Sequence, residues 1–261
     1  MDTVKRGIQS RYPLPCEKLF AARVLDIIDA AVQSGRTRFT AFLDLNQRRI
    51  AAELAKALNV PVRYWGGYED AERAVAAFSP VNDCEEPDWP VSALMAMPSD
   101  GAAGHRDILG ALIGAGLDRS ALGDIVKTER GFMIFLSPAV AQYVTQNLSK
   151  AGKSALSLCP LSRDEAASLT FLQELVHLRA TVSSPRADAV VAALCGVGRS
   201  QAARLVESGR VFADARPVAK PSALLTGGEI ISVRGAGRFR LIEIGPPTRK
   251  GRLALSAVKY R

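Results

Sequence analysis

The stretch Ser79–Pro90 holds three prolines and four acidic residues. No helix or strand runs through such a segment, because proline fixes φ and lacks a backbone N–H. The stretch therefore reads as a linker between a segment over 1–80 and one over 91–160. A second break, Ser183-Ser184-Pro185, cuts off the last third. A length of 261 residues allows one to three domains with a sizeable core. The content of 48% hydrophobic and 23% charged residues is that of an ordinary globular protein. The most apolar early stretch, Phe20 to Val32, is interrupted by Arg23, Asp26 and Asp29, so no membrane span is expected. No apolar segment follows the first residues as in a secretory signal, and the expected location is cytoplasmic. The cysteines at 16, 84, 159 and 195 form no Cys-x-x-Cys pair, which points to reduced thiols and to neither a metal site nor a disulfide framework.

Charge is distributed as unevenly as the breaks. Residues 181–261 hold 14 Lys/Arg against 5 Asp/Glu, whereas residues 1–180 hold 20 against 21. The whole excess of the +8 chain thus sits in the last third. A basic module on a near-neutral body is the footprint of a polyanion binder.

Between the breaks the pattern predicts α+β units. In residues 1–80, Phe20, Val24, Ile27 and Ala31 mark a helix over Glu17–Gln33, ended by Gly35. Arg38–Leu43 reads as a strand, and Asp44 as the N-cap of a helix Gln47–Leu58 with an Ile50, Leu54, Leu58 stripe. A strand Val62–Trp65, a Gly66-Gly67 turn and a helix Glu69–Phe78 complete a small α/β unit. In residues 91–160 the expected order is strand Val91–Met97, helix His105–Ala115, strands Asp124–Thr128 and Phe132–Leu136 around a Glu129-Arg130-Gly131 hairpin, helix Pro138–Ser149 and strand Ser154–Cys159. That βαββαβ order is shared by many RNA-recognition domains and many small enzymes. Residues 161–180, with Leu169, Leu172, Val176 and Leu178 and no breaker, read as a helical connector over Arg163–Arg179.

In the basic module, helices Ala187–Leu194 and Arg199–Ser208 flank a tight Gly196-Val-Gly198 connection. Ala202, Leu205 and Val206 face one side of the second helix, and Ser200, Arg204 and Ser208 the other. That polar face begins at a helix N-terminus, where free N–H groups and the dipole favour phosphate, and Arg199 stands at the same end. Strand-like segments follow at Val211–Ala213, Pro217-Val218, Glu229–Arg234, Phe239–Ile244 and Leu253–Val258. The turn between the first two is Asp214-Ala215-Arg216, and a basic loop, Thr248–Arg252, precedes the last strand.

The string Arg186-Ala-Asp188, Gly198-Arg-Ser-Gln-Ala202, Leu205, Gly209-Arg-Val211, Pro217-Val218, Lys220-Pro221 and Gly228-Glu-Ile-Ile-Ser-Val-Arg234 resembles the S-four RNA-binding domain, named for a small-subunit ribosomal protein. Ala187 replaces a usual leucine, and Asp214-Ala215 an Asn-Gly-like turn. Phe42-Leu-Asp44, Gln47-Arg-Arg-Ile50, Gly66-Gly-Tyr-Glu69, Ala71-Glu-Arg73, His105-Arg-Asp-Ile-Leu-Gly-Ala-Leu112, Gly123-Asp-Ile125 and Thr248-Arg-Lys-Gly-Arg252 are similar to the YlmH family of bacterial RNA-binding proteins. That resemblance implies a body with an RRM-like subdomain and a C-terminal S-four domain. It also implies association with the large ribosomal subunit, rescue of subunits obstructed by peptidyl-tRNA and, in some bacteria, a role in cell division. By the same resemblance Arg186, Arg199, Ser200, Gln201 and Arg204 form a helical RNA face flanked by Arg210, Arg216 and Lys220. Arg249, Lys250 and Arg252 form a second patch on charge grounds.

Other motifs favour structural readings. Phe132 and Phe135, three apart, face opposite sides of a strand, which suits core packing better than base stacking. Trp65-Gly-Gly-Tyr68 reads as a packed turn, with backbone approach to RNA as its rival. Adjacent helix residues do not face each other, so His105-Arg106-Asp107 fits capping better than catalysis. His177 is expected to pack or cap the connector helix. Gly235-Ala-Gly237 lacks the third glycine and following helix of a dinucleotide site.

The expectation is therefore a multi-domain α+β protein: an α/β subdomain over 1–80, an RRM-like one over 91–160, a helical connector over 161–180 and an S-four-like domain over 181–261. It is expected to be monomeric and non-enzymatic, with no cofactor, metal, DNA or membrane span, and to bind structured rRNA or tRNA on the large ribosomal subunit. Two rivals stay open. One is an RNA-modifying enzyme, a pseudouridine synthase or rRNA methyltransferase, anchored by the basic module. The other is a protein-interaction adaptor tethered to RNA, with a role in cell division.

Overall fold

The computed structural model describes residues 7, 12, 14–69, 71–79, 86–169, 171, 175–214, 216–248 and 251–260. The chain divides into two compact units, residues 1–172 and 173–261.

In the first unit, helix α1 (Pro15–Ser34) starts with proline in its first turn and stops at Gly35, which takes the left-handed φ of 63°. Its buried face is Ala21, Val24, Leu25, Ile28 and Ala31, with Phe20 and Ile27 packed at the edge. The stripe lies one residue around the helix from the expected one. After β1 (Arg38–Leu43), Asp44 caps α2 (Leu45–Ala57). Its Oδ1 accepts from Gln47 N at 2.8 Å, and Gln47 Oε1 accepts from Asp44 N at 3.0 Å. Ile50 and Leu54 then pack with Val24, Leu25, Ile28 and Phe78.

Strand β2 (Val62–Trp65) is followed by a strand, not by the expected helix Glu69–Phe78. Within residues 66–73 the described residues form turns and bends, and β3 (Ala74–Phe78) is the central strand of an antiparallel β1-β3-β2 sheet. All five β3 residues are buried, Ala76 and Phe78 in the core under α1 and α2, Val75 and Ala77 in a core on the other face. A short apolar run buried on both faces has no alternation to distinguish it from a buried helix.

The second sheet contains β4 (Ser92–Pro98), β5 (Leu122–Thr128), β6 (Gly131–Leu136), β7 (Lys150–Ala151) and β8 (Ser154–Leu161). Its order is β5-β6-β4-β8-β7, with every pairing antiparallel. Helices α3 (His105–Gly114) and α4 (Pro138–Asn147) bury Ile108, Leu112 and Val144 against Leu94 and Ile134 on one face. The other face is also covered. Val126, Met133 and Phe135 share a core with Phe42, Val75, Ala77 and Trp89. The two sheets of this unit thus pack face to face, and Phe132 (9% exposed) and Phe135 (1%) both serve cores.

The helical connector over 161–180 is not formed. Helix α5 covers only Arg163–Ser168, and Leu175–Val182 is strand β9. Leu178, Ala180 and Val182 point into the second unit's core, a period of two that the helical spacing of Leu172, Val176 and Leu178 had masked. His177 lies exposed on this strand and caps no helix. The second unit continues with α6 (Ala187–Cys195), α7 (Arg199–Glu207), β10 (Val211–Ala213), β11 (Arg216–Pro217), β12 (Ile230–Val233), β13 (Gly237–Pro247) and β14 (Leu253–Tyr260). The strands form one antiparallel sheet in the order β11-β10-β12-β13-β14-β9. Val190, Val191, Leu194, Ala202 and Val206 of the helices pack on Ile231, Phe239, Leu241, Leu255 and Ala257. Among the described residues, no single helix is long and apolar enough to cross a membrane.

Candidate nucleic-acid interface

Two arginines of the basic module meet on one carboxylate. Asp188, in the first turn of α6, is only 5% exposed. Arg186 donates from Nε to Asp188 Oδ1 at 3.2 Å and from Nη2 to Oδ2 at 2.9 Å. Arg199 donates from Nη2 to the same Oδ1 at 3.2 Å, and its Nε lies 3.2 Å from Oδ2. The hydrogen bonds from Arg186, then those from Arg199, hold the Asp188 carboxyl below its ordinary value against the opposing effect of burial. Two guanidinium groups on one carboxylate leave a net positive charge. Both arginine side chains stay substantially exposed, at 39% and 51%, so donors not turned toward Asp188 can meet an anion.

Arg199 is also the first residue of α7. The N-cap is Gly198, with no side-chain hydrogen bond to the helix end. Ser200, Gln201 and Arg204 are exposed on this helix, opposite buried Ala202 and Val206. The structure thus brings together Arg186, Arg199 and the start of α7, with Arg204 one turn on. Ser208 drops out of the polar face, because its hydroxyl donates to Leu205 O at 3.1 Å at the far end of the helix.

The flanking residues are more dispersed. Arg210 is exposed but braced, donating from Nη2 to Arg234 O at 2.7 Å. Arg216 and Lys220 are exposed on β11 and the loop after it. Arg252 donates from Nη2 to Thr181 O at 2.7 Å, which ties it to β9. Arg249 and Lys250 lie outside the described residues. Asp214, at φ 45°, fastens the hairpin. Its N–H donates to Ile230 O and its Oδ1 accepts from Ile230 N, each at 2.9 Å. An aspartate tolerates this left-handed conformation and can hold a turn with its own side chain.

The aromatic and acidic motifs of the first unit are largely structural. The Tyr68 ring stacks on Phe135 at 5.2 Å and meets Phe171 edge-on at 4.8 Å, while its hydroxyl donates to Asp124 Oδ2 at 2.9 Å. The same oxygen accepts from Glu72 N at 2.7 Å. A Cβ on Gly67 would lie 2.1 Å from Phe135 Cδ1, and φ there is 104°. Trp65 stays at the surface and lines, with Tyr68, Trp89, Phe135 and Phe171, a cleft of about 700 Å³. In His105-Arg106-Asp107, Asp107 Oδ2 accepts from Gly104 N at 2.9 Å and so closes the start of α3. Partial burial, with Arg119 nearby, pushes the His105 imidazole below its ordinary value.

Fold and site together define an α+β protein whose second unit carries an exposed basic module. Comparison with known proteins makes this specific. A family described as "Putative RNA-binding domain in YlmH" matches residues 102–165. The "Ribosome-associated protein quality control protein P2" of Bacillus subtilis (strain 168) is 32% identical over 237 residues, spanning 90% of this chain and 91% of that protein. The solved "Cell division protein ylmH from Streptococcus pneumoniae" has a TM-score of 0.51 at 19% identity, covering 60% of this chain and 98% of that one, a likeness of fold. The chain belongs to the YlmH family of RNA-binding proteins.

Sequence reasoning overlooked Asp188 as an organiser of the interface. The signal was present, since an acid two residues after one arginine opens a helix that packs beside the start of a second. Only the fold brings Arg199 to the same carboxylate.

Proposed function

We propose that the protein binds structured ribosomal RNA or tRNA in the setting of the large ribosomal subunit, without catalysing a reaction, and serves the rescue of obstructed subunits. The observation that carries this reading is the pair Arg186 and Arg199 held by buried Asp188 beside the uncapped start of α7. Guanidinium groups and helix N–H groups converge there on one place for an anion, and phosphate contacts of this kind set affinity and register. RNA duplexes are recognised in this way by backbone, shape and 2′-hydroxyls. The Bacillus relative named for ribosome-associated quality control supports the ribosomal setting.

The test is a salt titration of binding to ribosomal RNA fragments and to tRNA, followed by crosslinking and sequencing of the bound RNA from cells. About six phosphate contacts make affinity fall roughly a thousandfold between 50 and 200 mM salt. A flat salt dependence, or crosslinks spread evenly over unrelated RNAs, would reject the reading.

A further inference from the structure

The strand that replaces the expected connector helix gives the second unit a second charged face. Along β9, Leu178, Ala180 and Val182 enter the core, so His177, Arg179 and Thr181 lie on the opposite side of the sheet. The same alternation applies to β13 and β14. Phe239 and Leu241 are core, which turns Arg238 and Arg240 to the other face; Leu255 and Ala257 are core, which puts Ser256 and Val258 there too, with Val258 and Ile230 as buried apolar neighbours on either side of Arg240. The register aligns these residues in rows. Val258 stands opposite both Arg240 and His177, Ser256 opposite Arg179 and Glu243, and Tyr260 opposite Arg238. Ser232 continues the last row from Arg238 to Phe212, where the Arg234 guanidinium lies 4.8 Å from the ring centre.

His177, Arg179, Arg234 and Arg240 are exposed, and Glu243 is the one acid in these rows among the described residues. Strands spaced about 4.8 Å apart, with same-face residues about 7 Å apart along each, set the cations at the scale of successive phosphates on one nucleic-acid strand. Hydroxyls of Ser232, Ser256 and Thr181 and the ring of Tyr260 lie among them, a mixture of phosphate donors and a stacking surface. Helices α6 and α7 cover the sheet's inner face, so the Arg186–Arg199–Arg204 site and this array lie on opposite sides of the second unit.

We propose that the outer face of this sheet, centred on Arg179 and Arg240, is a second RNA-backbone surface, and that one molecule bridges two RNA segments, one on each side. The inference rests on the RNA-binding reading of the helical site and goes beyond it. The experiment uses the full-length protein and two short RNA duplexes, one carrying a donor dye and one an acceptor. Anisotropy reads binding of one duplex, and energy transfer between dyes reads bridging. The unaltered protein is expected to produce transfer. Arg179→Glu/Arg240→Glu is expected to reduce transfer at least tenfold while changing affinity for a single duplex by no more than about threefold. Arg179→Lys/Arg240→Lys is expected to restore it, because lysine keeps the charge that meets phosphate.

Transfer that survives the double glutamate variant would overturn the proposal, whether it arises from self-association, from the first unit, or because the sheet face serves an acidic protein. Binding of one duplex without transfer by the unaltered protein would overturn it too, and leave the helical site standing. Loss of duplex binding altogether would instead bring down the reading on which the inference rests.

Discussion

Residues 102–165, which match the family description of an RNA-binding domain, and the second unit solve different physical problems with similar materials. Both are sheets with two helices on one face. In the first, the helix-free face is buried against a second sheet, and the matched segment holds 7 Lys/Arg against 6 Asp/Glu. In the second, residues 173–261 hold 15 against 6, and arginines stand on both sides of the sheet. A βαββαβ sheet whose aromatic residues are committed to packing offers no open stacking platform, whatever its topology resembles. The module without that topology has the charge, the exposed donors and the helix N-terminus. The difference teaches that strand order and surface charge are separable: the first unit has the order of an RNA-recognition fold, and the second has the exposed basic side chains.

The strongest challenge to this contrast is charge reversal in each region. Arg199→Glu/Arg204→Glu is expected to weaken binding to a structured RNA by about a hundredfold or more, since two phosphate contacts become repulsions. Arg106→Glu/Lys127→Glu, at exposed positions of the matched segment, is expected to change it less than about threefold. Comparable losses, measured by anisotropy at one salt concentration, would erase the distinction. A second test asks whether the first unit's aromatic turn is structural. Gly67→Ala drives a methyl group into Phe135 at a positive φ and is expected to destabilise the first unit by roughly 2–3 kcal/mol. Denaturant unfolding reads this, with RNA affinity of the folded protein unchanged. A fall in affinity without loss of stability would make that turn an RNA contact.

The legible parts of this architecture were those announced by local chemistry. Asp44 as a cap, Gly35 as a stop and the Gly196-Val-Gly198 connection before α7 placed helix ends closely, because caps act within one turn. The failures share one cause. Ala74–Phe78 and Leu175–Val182 are strands only by virtue of distant partners, β1 and β2 for the former and β14 for the latter. Intrinsic preference says little about Ala-Val-Ala-Ala-Phe, and tertiary pairing decides. The site divides in the same way. Arg199, Ser200 and Arg204 were readable from one helix and Gln201 from the family resemblance, whereas the sharing of Asp188 by two arginines and the array around Arg179 and Arg240 required pairing across the fold.

Asp188 offers a finer test of how the helical face differs from a merely basic surface. Asp188→Asn adds positive charge to the module, so an argument from net charge predicts tighter RNA binding. The geometry predicts the reverse. Without the carboxylate, the two guanidinium groups repel one another and lose their shared anchor, and affinity is expected to fall about tenfold, or about 1.4 kcal/mol. Tighter binding by the asparagine variant would reduce the interface to its charge.

The same residue gives a smaller effect on stability with a defined sign. The folded-state pKa of Asp188 is depressed, first by Arg186 and then by Arg199. Above its unfolded value of about 3.9 the carboxylate is charged in both states, and its contribution to stability is fully present. As the pH falls below that value the unfolded chain takes up the proton first, and the contribution is lost progressively until the pH passes the lower folded value. Denaturant unfolding of the unaltered protein and of Asp188→Asn should therefore differ most near pH 7 and converge as the pH falls below about 3.9. The comparison is between the two proteins at each pH, so acid effects common to both cancel. A gap that stays constant through this window would assign the stabilisation to packing around Asp188 rather than to its charge, and the fork would then be a contact without an electrostatic role.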